Sequence, residues 1–176
     1  MDGLTIEIFI VPSMVLAIVT GLYFLFKKGK KNPVAYDFYV ANIAIAAFVV
    51  NLIWEVAQGP LYEGFEYDVK HISFCALASV ADMLMVLLLF FSLGLLYNNI
   101  FWIRNLNLKR TLVLVGIGTL GAILAEMWHT SRGDWIYAEI MPLLPLVDVG
   151  ITPVLQFALL PWLVFYFAKD RIVNKS

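Results

Sequence analysis

Five apolar stretches, at about 6–26, 37–58, 72–97, 109–130 and 146–168, limit what this chain of 176 residues can become. Each is long enough to cross a hydrocarbon layer about 30 Å thick as a helix, which takes roughly 20 residues. None alternates in polarity over about ten residues, as the strands of a membrane barrel do. The expected fold is therefore an all-α integral membrane protein, a single domain built as a bundle of five transmembrane helices. Composition agrees: 62% of residues are hydrophobic, 14% are charged and the mean hydropathy is +0.86. A soluble domain is nearer half apolar and a quarter charged. The first stretch follows Asp2 and Glu7 without a basic leader and ends in lysines, so it reads as a spanning helix rather than a cleaved signal. Cys75 is the single cysteine, which excludes an intrachain disulfide.

The basic residues set an orientation. Lys27, Lys28, Lys30 and Lys31 follow the first stretch, Arg104, Lys109 and Arg110 lie between the third and fourth, and Lys169, Arg171 and Lys175 follow the fifth. That places 10 of the 12 basic residues on one side and leaves Lys70 and Arg132 on the other. The excess of lysine and arginine on cytoplasmic loops then predicts the N-terminus outside and the C-terminus inside, in a multi-pass protein of the cytoplasmic (inner) membrane. Of the connectors on the basic side, residues 98–109 are expected to lie along the headgroups. On the other side, residues 131–146 carry Pro142 and Pro145 in an apolar setting and are expected to dip back into the bundle.

Polar residues inside the stretches are few and one-sided. Asn51, Glu55 and Gln58 are spaced i, i+4, i+7 and share a helical face. Asp82 lies 11 residues beyond His71, about 16 Å deeper at 1.5 Å per residue, which is near the bilayer midplane. Glu126 and His129 end the fourth stretch; the fifth is expected to start near Asp148 and to carry Gln156 about 12 Å inward, beyond Pro153. All these groups fall in the outer half, and the first stretch contributes none. A carboxylate in hydrocarbon costs several kcal/mol unless paired, so such residues face the bundle interior and mark a site. The bland alternative for Asp82 is a neutral acid hydrogen-bonded to a neighbouring helix; for His71 and His129 it is an interfacial histidine. For Gln58, Asp134 and Asp148 it is capping or wetting.

Other chemistries fare worse. Glu126-Met-Trp-His129 has the Glu-x-x-His spacing of di-iron bundles, but no second copy exists. A mononuclear metal site would need His71, His129 and one carboxylate. Ser73, Ser79 and Ser131 lack a nucleophile-elbow sequence. Gly116-Ile-Gly118-Thr-Leu-Gly121 spells G-x-G-x-x-G, yet inside a spanning helix it reads as helix packing. No basic stripe suits nucleic acid, and the residues name no cofactor.

The pattern Asn51-x-x-Trp54-Glu55-x-x-Gln58-x-Pro60-Leu61-Tyr62, with His71, Asp82, Glu126, Trp135-x-Tyr137-x-x-x-Met141-Pro142 and Pro153-x-x-Gln156, resembles a group of small polytopic bacterial membrane proteins over most of the chain. Over about a third of it, Trp54-Glu55, Trp135-x-Tyr137 and Gly150-Ile-Thr-Pro153-Val-Leu-Gln156 are similar to the small-membrane-protein type of lycopene cyclase. Leu155-Gln156 stands where that family has paired carboxylates, so the resemblance would move a protonating acid to Glu55, Glu126 or Asp82.

The expected function is a polar, carboxylate- and histidine-lined pocket in the outer half of the bilayer that binds, or processes by acid–base chemistry, a lipid or isoprenoid. Glu55, Asp82 and Glu126 are the candidate acids and bases. Asn51, Trp54, Gln58, His71, His129, Trp135, Tyr137 and Gln156 are the candidate ligand contacts, with Trp128 as a further aromatic wall. Two alternatives stand beside it: a non-enzymatic subunit docked to other membrane proteins, and a proton-coupled carrier using Asp82 and Glu55.

Overall fold

The computed structural model describes residues 10–169. Residues 6–9 of the first expected helix, and Arg171 and Lys175, lie outside the described residues. Five helices are long and apolar enough to cross a membrane: α1 (Ile10–Lys27), α2 (Pro33–Gln58), α3 (Val69–Leu96), α4 (Leu108–Arg132) and α5 (Ile151–Ala168).

Local chemistry sets their ends. Asn32, Asp68 and Asn107 each accept a hydrogen bond from the backbone N–H three residues on, at 3.0, 2.8 and 3.0 Å. These side chains satisfy amides that the helix itself leaves without partners. α2 therefore begins at Pro33, whose missing N–H is harmless in a first turn. α4 ends at Gly133, with φ at +71°, whose N–H returns to the carbonyls of His129 and Thr130.

The fifth helix starts later than the apolar pattern suggests. Residues 143–150 instead form a small antiparallel hairpin, β1 (Leu143–Leu144) on β2 (Val149–Gly150), pairing Leu143 with Gly150 and Leu144 with Val149. Its turn needs positive φ at Leu146 and Asp148, 80° and 52°, which no helix tolerates. Asp148 is thus a turn residue and not the first residue of a helix. Residues 98–107 also depart from expectation. They fold under the bundle instead of lying along headgroups, burying Ile100, Trp102 and Ile103 at 2%, 0% and 0% exposure. Trp102 donates its indole N–H to the carbonyl of Phe90 at 3.0 Å and meets the ring of Phe165 edge-on.

Across space the helices do not follow chain order. α1 packs on α3, α3 on α2, α2 on α5 and α5 on α4, whereas the consecutive α3 and α4 touch only lightly. The result is a bent row with α1 and α4 at its edges and a seam between α3 and α4. The main apolar core, with Ile43, Val86, Phe90, Phe91, Trp102 and Phe165, lies toward the end that carries most of the lysines and arginines. Buried polar side chains (Asn51, Gln58, Glu126, Gln156) lie toward the other end. There the two connectors are stitched by backbone: the amide of Glu63 donates to Ile136, that of Ala138 to Leu61, both at 2.9 Å.

At Gly118, α4 lies too close to α5 for a side chain to fit. Pro161 has no N–H to give the carbonyl of Phe157 four residues back. A Cβ on Gly118 would lie 2.2 Å from that carbonyl oxygen, while Gly116 and Gly121 face open space. One glycine of the three therefore serves this contact. Gly118→Ala should force the helices apart and lower stability by about 1–3 kcal/mol. Gly116→Ala and Gly121→Ala should be neutral or slightly stabilising, since alanine is the better helix former. Thermal unfolding of the three variants in one detergent checks the contrast.

Candidate functional site

Gln156, 2% exposed on α5, is the centre of the polar cluster. Its amide nitrogen lies 2.9 Å from Asn51 Oδ1, 2.9 Å from Glu55 Oε1 and 3.0 Å from Asp82 Oδ2. Its amide oxygen accepts from Gln58 Nε2 at 3.0 Å. Gln58 also donates to Glu55 Oε1 at 2.9 Å and accepts from the indole of Trp54 at 3.1 Å. The i, i+4, i+7 spacing on α2 is the reason that one helix brings three of these groups to one place. α3 supplies Asp82 and α5 supplies Gln156, so three helices close the network.

Donor arithmetic constrains its state. A side-chain amide carries two N–H groups, but three acceptors surround the nitrogen of Gln156. Glu55 and Asp82 also meet each other side chain to side chain. Two carboxylate oxygens do not make a favourable contact without a proton between them, since like charges at such range repel. Among the described residues neither carboxyl has an ion-pair partner. The count closes if the pair shares a single proton. Both side chains are half-buried, with an open flank, whereas Asn51, Gln58 and Gln156 are buried.

Glu126 belongs to a second, adjoining network. It is 8% exposed on α4 and accepts from the indole of Trp135 at 3.3 Å and from the Tyr137 hydroxyl. His129, one turn on, pairs through Nδ1 with Asp134 at 2.7 Å and stacks on Trp135 with centroids 4.3 Å apart. Tyr62 bridges the two groups. Its backbone pairs with Tyr137, its ring contacts Tyr137 and Trp135 at 5.7 and 6.5 Å, and it lies in the field of Glu126, Glu55 and Asp82. Tyr62 is absent from the expected site residues, because the Gly59-Pro60 turn that swings it under the second loop carries no helical periodicity.

The candidate residues thus divide. Asn51, Trp54, Glu55, Gln58, Asp82 and Gln156 converge in one network, and Glu126, His129, Trp135 and Tyr137 in its neighbour. His71 stands apart. It sits in the first turn of α3, its backbone N–H and ring both held by the capping Asp68, the ring at 2.7 Å, and it packs on Phe65. Hydrogen bonds from the His71 backbone and ring hold the Asp68 carboxyl below the usual carboxylate range. Trp128 is 57% exposed under Arg132 and lines nothing. Ser79 is buried but bonds back to the carbonyl of Cys75 at 2.7 Å, outside the network. Among the described residues no three or more His, Cys, Asp or Glu side chains gather to hold a metal ion. A groove of about 320 Å³ lies elsewhere, along α1 and α3, and contains none of these groups.

Set against known proteins, the chain matches no family model, no curated protein and no solved structure.

Proposed function

We propose that the chain is a multi-pass protein of a bacterial cytoplasmic membrane that binds a lipid- or isoprenoid-like molecule beside the Glu55–Asp82 pair and carries out acid–base chemistry on it. The distribution of lysines and arginines supports an arrangement with the N-terminus outside, the C-terminus inside and the pair in the outer half of the bilayer. One observation carries the reading: two carboxyl groups meet around the Gln156 amide with no ion-pair partner among the described residues, beside the lightly packed seam between α3 and α4.

A ligand in hydrocarbon would reach that seam sideways from the lipid. A protonated carboxyl there can give its proton to a double bond, and the carboxylate left behind can take one back from the neighbouring carbon. The double bond shifts, and protons and electrons balance with no co-reactant. Trp54 and Trp135 flank the pair and its neighbour, and their faces favour the transient positive charge. The amides of Gln58 and Gln156 hold the carboxylate between the two steps.

Native mass spectrometry of the purified protein, followed by lipid extraction, tests the reading. An apolar molecule should be retained in excess over bulk phospholipid, and Glu55→Gln should change its amount or its double-bond position. Extracts identical to bulk lipid for both proteins contradict the proposal. Stable co-purification of other chains in place of a ligand would favour the docking subunit.

A further inference from the structure

The apolar groove along α1 has no part in the carboxyl network, and its surroundings point to an occupant. Leu16, Val19, Thr20 and Phe24 of α1 face Leu87 and Phe91 of α3 across about 320 Å³. From Leu16 to Phe24 it runs eight residues, about 12 Å along the helix, toward the lysines. Tyr23 lines the last turn. Its hydroxyl donates to Asp37 at 2.5 Å, and Lys27 reaches the same carboxylate at 2.8 Å. This tie pins the end of α1 to α2 and pairs Lys27 with Asp37. Lys28 and Lys31 are exposed, and Lys30 lies over the ring of Phe101 at 5.1 Å. The groove therefore has hydrocarbon walls and opens onto an excess of positive charge. α1 otherwise packs mainly on α3, and much of its apolar surface is left uncovered, with Leu16 at 52% and Phe24 at 61% exposure.

We propose that this groove holds one acyl chain of an anionic phospholipid whose headgroup rests against Lys28, Lys30 and Lys31. The apolar walls accept any acyl chain; the choice of headgroup comes from the lysines, because basic residues at a membrane surface attract anionic lipid. The bound lipid completes the packing of α1, an edge helix that rests mainly on α3. The inference rests on the membrane reading but not on the carboxyl pair.

The full chain in phosphatidylcholine nanodiscs, given photoactivatable phosphatidylglycerol or photoactivatable phosphatidylcholine at equal low mole fraction, tests it by peptide mapping of the cross-links. The phosphatidylglycerol probe should label residues 16–24 well above the phosphatidylcholine probe. Each lysine contributes about a five-fold preference at low salt, so Lys28→Gln with Lys31→Gln should bring the two probes close to parity. Thr20→Trp, which fills the groove from an exposed position, should reduce labelling by both. Equal labelling by the two probes, labelling indifferent to these substitutions, or cross-links between two copies through this face would each overturn the proposal. None of the three substitutions touches Glu55 or Asp82, so failure here leaves the proposed function standing.

Discussion

Gln156→Leu is expected to lower stability by about 3–5 kcal/mol, one of the two largest effects the structure predicts for a single polar position. The substitution removes one amide and leaves Asn51 Oδ1, Glu55 Oε1, Asp82 Oδ2 and Gln58 Nε2 each short of a partner. A buried polar group left unmatched costs about 1–3 kcal/mol. The four losses overlap, because the freed groups partly re-pair with one another, so they do not add in full. Leucine nearly matches glutamine in volume, and the loss would not come from a cavity. Leu155, the neighbour in sequence, is 40% exposed, and Leu155→Ala should cost about 0.5 kcal/mol. The protein carries its own reporter for this comparison. Cys75 on α3 is 5% exposed and is the only cysteine, so thiol labelling on heating measures the opening of the bundle. Equal labelling temperatures for Gln156→Leu and Leu155→Ala would show that the amide is not what joins α2, α3 and α5.

The second large effect is on chemistry and not on folding. Asp82→Asn should leave the bundle nearly as stable as before, because the new amide accepts from Gln156 and donates to Glu55 in about the same volume. Turnover of a ligand by proton transfer should nevertheless fall by about 100-fold or more, the usual contribution of a positioned acid or base. Asp82→Leu separates the two roles. It should lose the same chemistry and, in addition, about 1–3 kcal/mol of stability by leaving the Gln156 and Glu55 contacts open. A stable Asp82→Asn variant with full turnover would reduce Asp82 to a structural acid.

How much of this was legible in the sequence depends on the range of the interaction. The five long apolar helices were legible because a length near 20 apolar residues is a strong signal in itself. Asn51, Glu55 and Gln58 were legible as a face because their spacing is fixed within one helix. Asp82 and Gln156 stood out as polar groups among apolar ones, but their meeting requires α3 and α5 both to pack on α2 with these two side chains turned toward each other. No periodicity encodes that order, and chain order suggests otherwise. Trp102 shows the same limit. Alone it reads as an interface anchor, and only the Phe90 carbonyl and the Phe165 ring make it a core residue. The hairpin at 143–150 was hidden because Leu146 and Asp148 adopt positive φ without the glycine that usually announces it. Gly118 was hidden among three equal glycines, since only the bare carbonyl left by Pro161 singles it out.

The account depends on Glu55 and Asp82 holding a proton between them in the hydrocarbon layer. Infrared spectroscopy of the protein in lipid at neutral pH, compared with Asp82→Asn and Glu55→Gln, reads that directly. The expected result is a carbonyl band from a protonated carboxyl group in the unmodified protein, shifted or lost in both variants. Carboxylate bands alone, with the carbonyl region unchanged by either substitution, would contradict it and would require a cation bound at the pair.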